Sequence, residues 1–154
     1  MQVSATHETI NVFVYGTLLF PEITARLEIE SRSSDSLIRR PAKLSGYKRF
    51  TVRFRGEGDP PAIIPAENSS VAGQVLCDIT EESLQRLDWF EDIASELYTR
   101  EEVCVELQDG EQESLEVLTY VCGERIRSQL NGGWDPEVFR ERDLSWYLKN
   151  VLGE

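Results

Sequence analysis

Two alternating stretches joined by a turn constrain the fold of this chain more than any other feature. Apolar and polar residues alternate from Leu97 to Leu107, Gln108-Asp109-Gly110-Glu111 supplies turn formers, and alternation returns from Leu115 to Cys122. A period of two puts alternate side chains on opposite faces of a strand, so the segment predicts an antiparallel hairpin with one face on a core. Further strands are expected at Val12–Tyr15, where an apolar run stops at Gly16, over 42–53 as one or two strands broken at Gly46, at 62–64 and over 71–79. The segment Gly56 to Pro61 reads as a loop of turn formers.

Helical signals are fewer. Pro21 suits a first helical turn, with Ile23 and Leu27 apolar up to about Glu30. Thr80 suits an N-cap for a helix from Glu81 to Phe90 or Glu91, with acids in the first turn where the macrodipole favours them. Pro136 opens a C-terminal helix placed within 135–152. Five to seven strands, several of them consecutive, with about three helices predict an α+β domain whose mostly antiparallel sheet curls or closes. At 154 residues the chain is read as one domain, 1–154, with residues 1–10 as a tail.

Composition removes several classes of chemistry. The one histidine, His7, lies in the polar tail, so Ser-His-Asp and Cys-His catalysis are not expected. Cys77, Cys104 and Cys122 are odd in number, widely spaced and set in apolar runs; they read as buried free thiols rather than as a zinc site. No histidine-rich metal site is expected. A net charge of -12 opposes nucleic-acid binding. No apolar run approaches the roughly 20 residues that span a bilayer, and the first residues lack a basic and then apolar leader, so no membrane association and a cytoplasmic location are expected. Arg39, Arg40, Lys43, Lys48, Arg49, Arg53 and Arg55 form a stretch without an acid, while residues 81–154 carry the whole net negative charge. The stretch is either an anion or partner patch, or a strand face balanced by the acidic half.

Helical geometry singles out one acid. On a wheel of about 100° per residue, Leu84, Leu87 and Glu91 fall at about 0°, 300° and 340°. Glu91 therefore shares the core-facing stripe, beside Trp89 and Phe90 and at a helix C-terminus, where burial and the dipole both raise a carboxyl pKa. That makes it a candidate general acid/base; the alternative is that it turns to solvent or pairs with Arg100. The second signal is Tyr15-Gly16-Thr17-Leu18, a strand running into glycine and then toward a helix, where backbone N–H groups can face a cleft and bind an anion. It is not a phosphate-binding P-loop.

Taken together, VFVYGTLL at 12–19, Gly46-Tyr47, Pro61-Ala62-Ile63-Ile64-Pro65, Val71-Ala72-Gly73, Leu87-Asp88-x-Phe90-Glu91, Tyr98-x-Arg100, Tyr120-Val121 and Gly133-Trp134-Asp135 resemble the γ-glutamylcyclotransferase-like family, in particular its plant avirulence-induced-protein branch. The resemblance implies a small, mixed, mostly antiparallel β-barrel flanked by helices, working without metal or organic cofactor. It implies that the α-amino group of a small γ-glutamyl donor attacks its own γ-amide, releasing 5-oxoproline and an amine or amino acid. The family's catalytic acid falls on Glu91, its substrate cradle on Tyr15, Gly16, Thr17 and Leu18, and a further substrate-binding tyrosine on Tyr98. Arg100 and Tyr120 are candidates for a supporting role, whereas Trp89, Trp134 and Trp146 read as packing residues. Asp92 stands where many relatives carry Gly, and Thr17 where others carry Ser. No oligomeric state is implied. Two competing readings are a small-ligand-binding or stress-linked interaction protein on the same fold, and a γ-glutamyl amide hydrolase.

Overall fold

The computed structural model describes residues 9–53, 59–91, 97–110 and 113–150. Among the described residues six strands are present: β1 (Val12–Val14), β2 (Ile38–Val52), β3 (Pro61–Cys77), β4 (Tyr98–Leu107), β5 (Ser114–Cys122) and the two-residue β6 (Leu130–Asn131). They run in the order β3-β1-β5-β4-β2-β6, and β2 also pairs with β3, so five strands close into a barrel with β6 on its rim. Every pairing is antiparallel except β1 with β5. Closure leaves β1 paired on both sides, and burial of both its faces is why it reads as an unbroken apolar run rather than an alternating one.

β1 also shows how the two cores are divided. Phe13 and Tyr15 join Leu44, Ile63, Val75, Val105, Val117 and Val121 in a cluster drawn from all five barrel strands, the barrel interior. Val12 and Val14 point the other way, into a second cluster with Ile23, Leu76, Ile79, Leu87, Phe139 and Tyr147, beneath the helices. Leu87 and Ile23 are fully buried, and each such side chain contributes about 1.5–3 kcal/mol. The helices are α1 (Pro21–Arg26), α2 (Glu81–Phe90), α3 (Pro136–Arg142) and α4 (Leu144–Asn150), with short 3-10 turns at Thr17–Leu19 and Glu124–Gln129.

The two hairpin strands β4 and β5 pair from Tyr98↔Cys122 to Glu106↔Ser114 as the alternation predicts. β2 and β3 are longer than expected. Both run on through the anticipated breaks, because the turn-forming residues sit in a bulge: the register shifts between Ser45↔Ser70 and Tyr47↔Pro65, with Gly46 (φ 86°) and Asn68 (φ 64°) in left-handed backbone. α1 ends early, at Arg26, since Glu28 turns left-handed (φ 58°). The single C-terminal helix anticipated over 135–152 is two helices. Asp143 is the C-cap of α3, its N–H donating to the Phe139 carbonyl, and its own carbonyl receives the Tyr147 N–H, so it ends one helix and starts the next.

Two expectations on burial fail. All three cysteines are free, but only Cys122 is buried; Cys77 is half-buried and Cys104 exposed, because the period of two turns Cys104 away from buried Val105. Trp89, expected to pack, is 75% exposed. The basic stretch of β2 divides. Arg40 binds Asp109 at 2.7 Å and Glu113 at 3.4 Å, and Lys43 reaches Glu106 at 4.0 Å, a strand face balanced by acids of the β4–β5 end. Arg39 and Arg49 make no ion pair among the described residues and turn instead to backbone carbonyls. The tail at 1–8, Arg55 and the 56–58 loop, Asp92, and the far side of the β4–β5 turn (Glu111) lie outside the described residues.

Candidate active site

α2 places the carboxyl. Thr80 Oγ1 accepts the Ser83 N–H at 3.0 Å, which caps the helix start. Leu87 is buried on the stripe that fixes the helix rotation. Glu91 is the C-cap residue, its N–H donating to the Leu87 carbonyl at 2.9 Å. Rotation and length together turn its side chain into a cavity of about 170 Å³.

The same cavity is lined by Tyr15, Gly16, Thr17, Leu18, Tyr98 and Tyr120. Of the residues singled out from the sequence, only Arg100 does not line it. Phe13, Val14, Pro60, Pro61, Phe90, Leu97 and Tyr147 complete the walls. They make the recess largely apolar and aromatic.

Glu91 is partly accessible, as a cavity wall must be, yet its carboxyl is enclosed enough that burial pushes its pKa up to about 8; the negative charge of Asp88 adds to the shift. Among the described residues no group donates a hydrogen bond to it. At neutral pH this carboxyl is mostly protonated, and no described residue is its fixed partner.

The turn opposite is held tightly. A Cβ added to Gly16 would sit 2.5 Å from Pro61 Cγ and 2.8 Å from Cδ, so only glycine lets this backbone lie against the start of β3. Within the 3-10 turn, Leu19 N–H donates to the Gly16 carbonyl at 2.9 Å and Phe20 N–H to the Thr17 carbonyl at 3.2 Å. The leading N–H groups of such a turn have no carbonyl of their own turn to bind.

The tyrosines carry fixed bonds. Tyr15 donates its hydroxyl proton to the Tyr120 carbonyl at 2.5 Å, and Tyr98 donates to the Pro61 carbonyl at 3.0 Å. Burial first, and Glu91 second, raise both phenols well above their ordinary pKa, so both stay neutral. Their donors are spent on backbone and only their oxygen lone pairs remain for a ligand.

Tyr120 donates to Asp88 Oδ1 at 2.7 Å, and Arg100 pairs with the other oxygen, Oδ2. Arg100 thus engages Asp88 rather than Glu91. Asp88 was not singled out beforehand, although the wheel that selects Glu91 puts Asp88 at about 40°, on the same stripe. Among the described residues no group of three or more His, Cys, Asp or Glu side chains could hold a metal ion.

A closed five-stranded barrel with a buried carboxyl facing a glycine-bearing turn places the protein among γ-glutamylcyclotransferase-like folds. A solution structure of an Arabidopsis thaliana protein, 27% identical, superposes with a TM-score of 0.64 over 93% of this chain and 88% of that one. A solved structure named gamma-glutamyl cyclotransferase, 18% identical, superposes with a TM-score of 0.63 over 94% and 86%, a likeness of fold. The chain belongs to the family described as gamma-glutamyl cyclotransferase, AIG2-like, whose model matches residues 12–136. It is 36% identical to AIG2-like protein D of Arabidopsis thaliana over 146 residues, covering 95% of this chain and 89% of the relative. It is 38% identical to AIG2-like protein C of the same plant over 133 residues, covering 86% and 70%. Among the described residues no helix is long and apolar enough to cross a membrane.

Proposed function

We propose that the protein is a γ-glutamylcyclotransferase, acting in the cytoplasm on a small γ-glutamyl amide. One observation carries the reading: Glu91, with a pKa near 8 and no hydrogen-bond donor among the described residues, shares a small cavity with the Tyr15–Leu18 turn.

The attacking α-amine has an ordinary pKa near 8, so at neutral pH most of it lacks a free lone pair. Glu91, in its ionised fraction, takes a proton from the α-ammonium group. The freed nitrogen attacks the γ-carbonyl carbon of the same molecule and a C–N bond forms, with the carbonyl oxygen becoming an oxyanion. Glu91 returns that proton to the departing nitrogen and takes the second proton of the attacking nitrogen; collapse then re-forms the carbonyl and breaks the bond to the departing nitrogen, which accepts this second proton from Glu91. The products are 5-oxoproline and the amine as its ammonium ion; Glu91 is ionised again and no water is consumed. A carboxyl and an amine matched near pH 8 exchange a proton with little driving force wasted either way. Since the nucleophile is already tethered, the protein's task is to hold the donor folded for attack. N–H groups of the Gly16–Leu18 segment serve the oxyanion or the donor's α-carboxylate, and losing one oxyanion donor typically costs about 2.7–4 kcal/mol. Tyr15 and Tyr98 act as walls and acceptors.

The test is a panel of γ-glutamyl donors with 5-oxoproline and glutamate quantified, in parallel with Glu91→Gln. The expected result is 5-oxoproline alone, lost in the folded variant. Glutamate as product would instead mean a hydrolase, and saturable binding without any product a binding protein.

A further inference from the structure

We infer that Arg49, aided by Arg39, is a positioning residue that grips the Tyr15–Leu19 segment by its carbonyls and so turns its free N–H groups toward the cavity as an anion-binding cradle. The inference rests on the cyclotransferase reading for its role in turnover, though not for its geometry.

Arg49 donates from Nη1 to the Tyr15 carbonyl at 2.7 Å, and its guanidinium lies 5.5 Å from the centre of the Trp134 ring. Arg39 donates from Nη1 to the carbonyls of Leu18 at 3.3 Å and Leu19 at 3.5 Å. It is itself fixed by Gln74 at 2.8 Å and by Thr24 at 2.6 Å. Desolvation lowers the pKa of both guanidiniums, foremost for each, yet an arginine in this setting stays charged. Two desolvated cations that make no ion pair among the described residues are costly, Asp135 acting on Arg49 only through its charge, and here each is spent on main-chain oxygens of one short segment.

The consequence follows from peptide geometry. In a trans peptide the N–H points opposite to the C=O. The Tyr15 carbonyl is tied to Arg49, the Gly16 carbonyl to Leu19 N–H and the Thr17 carbonyl to Phe20 N–H. Three successive peptide planes therefore have their oxygens committed, and the N–H groups of Gly16, Thr17 and Leu18 leave on the other side. Residues 15–18 line the cavity whereas Arg39, Arg49, Leu19 and Phe20 do not. The arginines hold the segment from behind. Charge-assisted bonds to the carbonyls also polarise these peptides, which strengthens the N–H donors.

The test compares the parent with Arg49→Met and Arg49→Lys, using turnover and the amide spectrum of ¹⁵N-labelled protein titrated with 5-oxoproline. In the parent, the Gly16 and Thr17 amide resonances move on adding 5-oxoproline. In Arg49→Met the Gly16 resonance is displaced without ligand and its response is lost, and kcat/KM falls at least about tenfold, a part of what removing a donor outright costs. The midpoint of the pH–rate profile stays in place. Arg49→Lys, which can still reach one carbonyl, recovers part of both signals. If Arg49→Met shows an unmoved Gly16 amide and kcat/KM within twofold of the parent, the clamp is wrong and the cyclotransferase reading stands. A shifted pH midpoint also overturns it, because Arg49 would then act on Glu91 by charge. If the parent makes no 5-oxoproline while Arg49→Met still displaces the Gly16 amide, the clamp stands and the cyclotransferase reading falls. Should Arg49→Met fail to fold, Arg49→Gln, shorter and uncharged, decides alone, since a parent-like amide spectrum and turnover without the guanidinium would leave it no positioning role.

Discussion

The Tyr120 hydroxyl donates to Asp88 Oδ1 at 2.7 Å, one helical turn before Glu91, and Arg100 takes the other carboxylate oxygen. The end of α2 is thereby fastened to β4 and β5, and a negative charge is fixed near the candidate acid/base. Asp88 raises the Glu91 pKa, and Arg100 brings an opposite charge to Asp88.

Opposite shifts are expected from the two partners. Asp88→Asn keeps an acceptor for Tyr120 but removes the charge, so the rising limb of the pH–rate profile moves to lower pH, by roughly one unit. It stays above the ordinary carboxyl value because burial is the larger cause. Arg100→Ala leaves the Asp88 charge uncompensated and moves the limb upward, with a stability cost of about 1 kcal/mol or less for so exposed a pair. Profiles of kcat/KM from pH 5 to 9 check both; shifts in the same direction would contradict the arrangement.

Glu91 itself is expected to cost stability. Its folded pKa is about 8, while in the unfolded chain it is close to about 4.3. Below the unfolded value both states hold the proton and nothing is lost. Between pH 4.3 and 8 the unfolded state ionises while the folded state stays neutral, so stability falls, then levels off. Glu91→Gln escapes this loss and is expected to be more stable than the parent by up to about 3 kcal/mol at pH 7, with the two converging near pH 4. Denaturant unfolding at pH 4.5 and 7 measures the gap.

Gly16→Ala is expected to damage both fold and site. The new methyl meets the Pro61 ring at 2.5 Å, and a ring built into the chain cannot swing aside. A loss of about 1–3 kcal/mol is expected from overpacking, together with loss of 5-oxoproline formation as the turn shifts. Thermal melts and the donor assay check it.

Tyr98→Phe leaves the Pro61 carbonyl without its donor in a buried setting. The expected cost is about 1–3 kcal/mol. Because the hydroxyl is already committed to backbone, the pH midpoint is expected to hold; a large movement would mean that Tyr98 serves the proton transfer directly.

The reach of the sequence depended on how local each signal was. The Glu91 stripe, the Thr80 cap and the β4–β5 alternation are set by residues within one or two turns of each other, and all three are present. The same wheel held two facts that went unread: Asp88 beside Glu91, and Trp89 at about 140°, facing outward. Long-range pairing was harder to see. Gly46, Pro65 and Asn68 look like ends of strands, but in β2 and β3 they mark a register shift within a continuous ribbon. Arg39 and Arg49 were indistinguishable from Arg40 and Lys43, because only the barrel shows which guanidinium meets an acid and which a carbonyl.

The single parallel pairing has a consequence for how the molecule is made. β1 leads into the turn of the site, and one of its two neighbours, β5, is synthesised about a hundred residues later: Thr119 Oγ1 donates to the Phe13 carbonyl at 2.9 Å across 106 positions. A growing chain that has not reached residue 114 holds an open sheet with a bare edge, inviting pairing with other nascent chains. Contacts this distant slow folding, so β1 waits through most of translation for the strand that completes its hydrogen bonds.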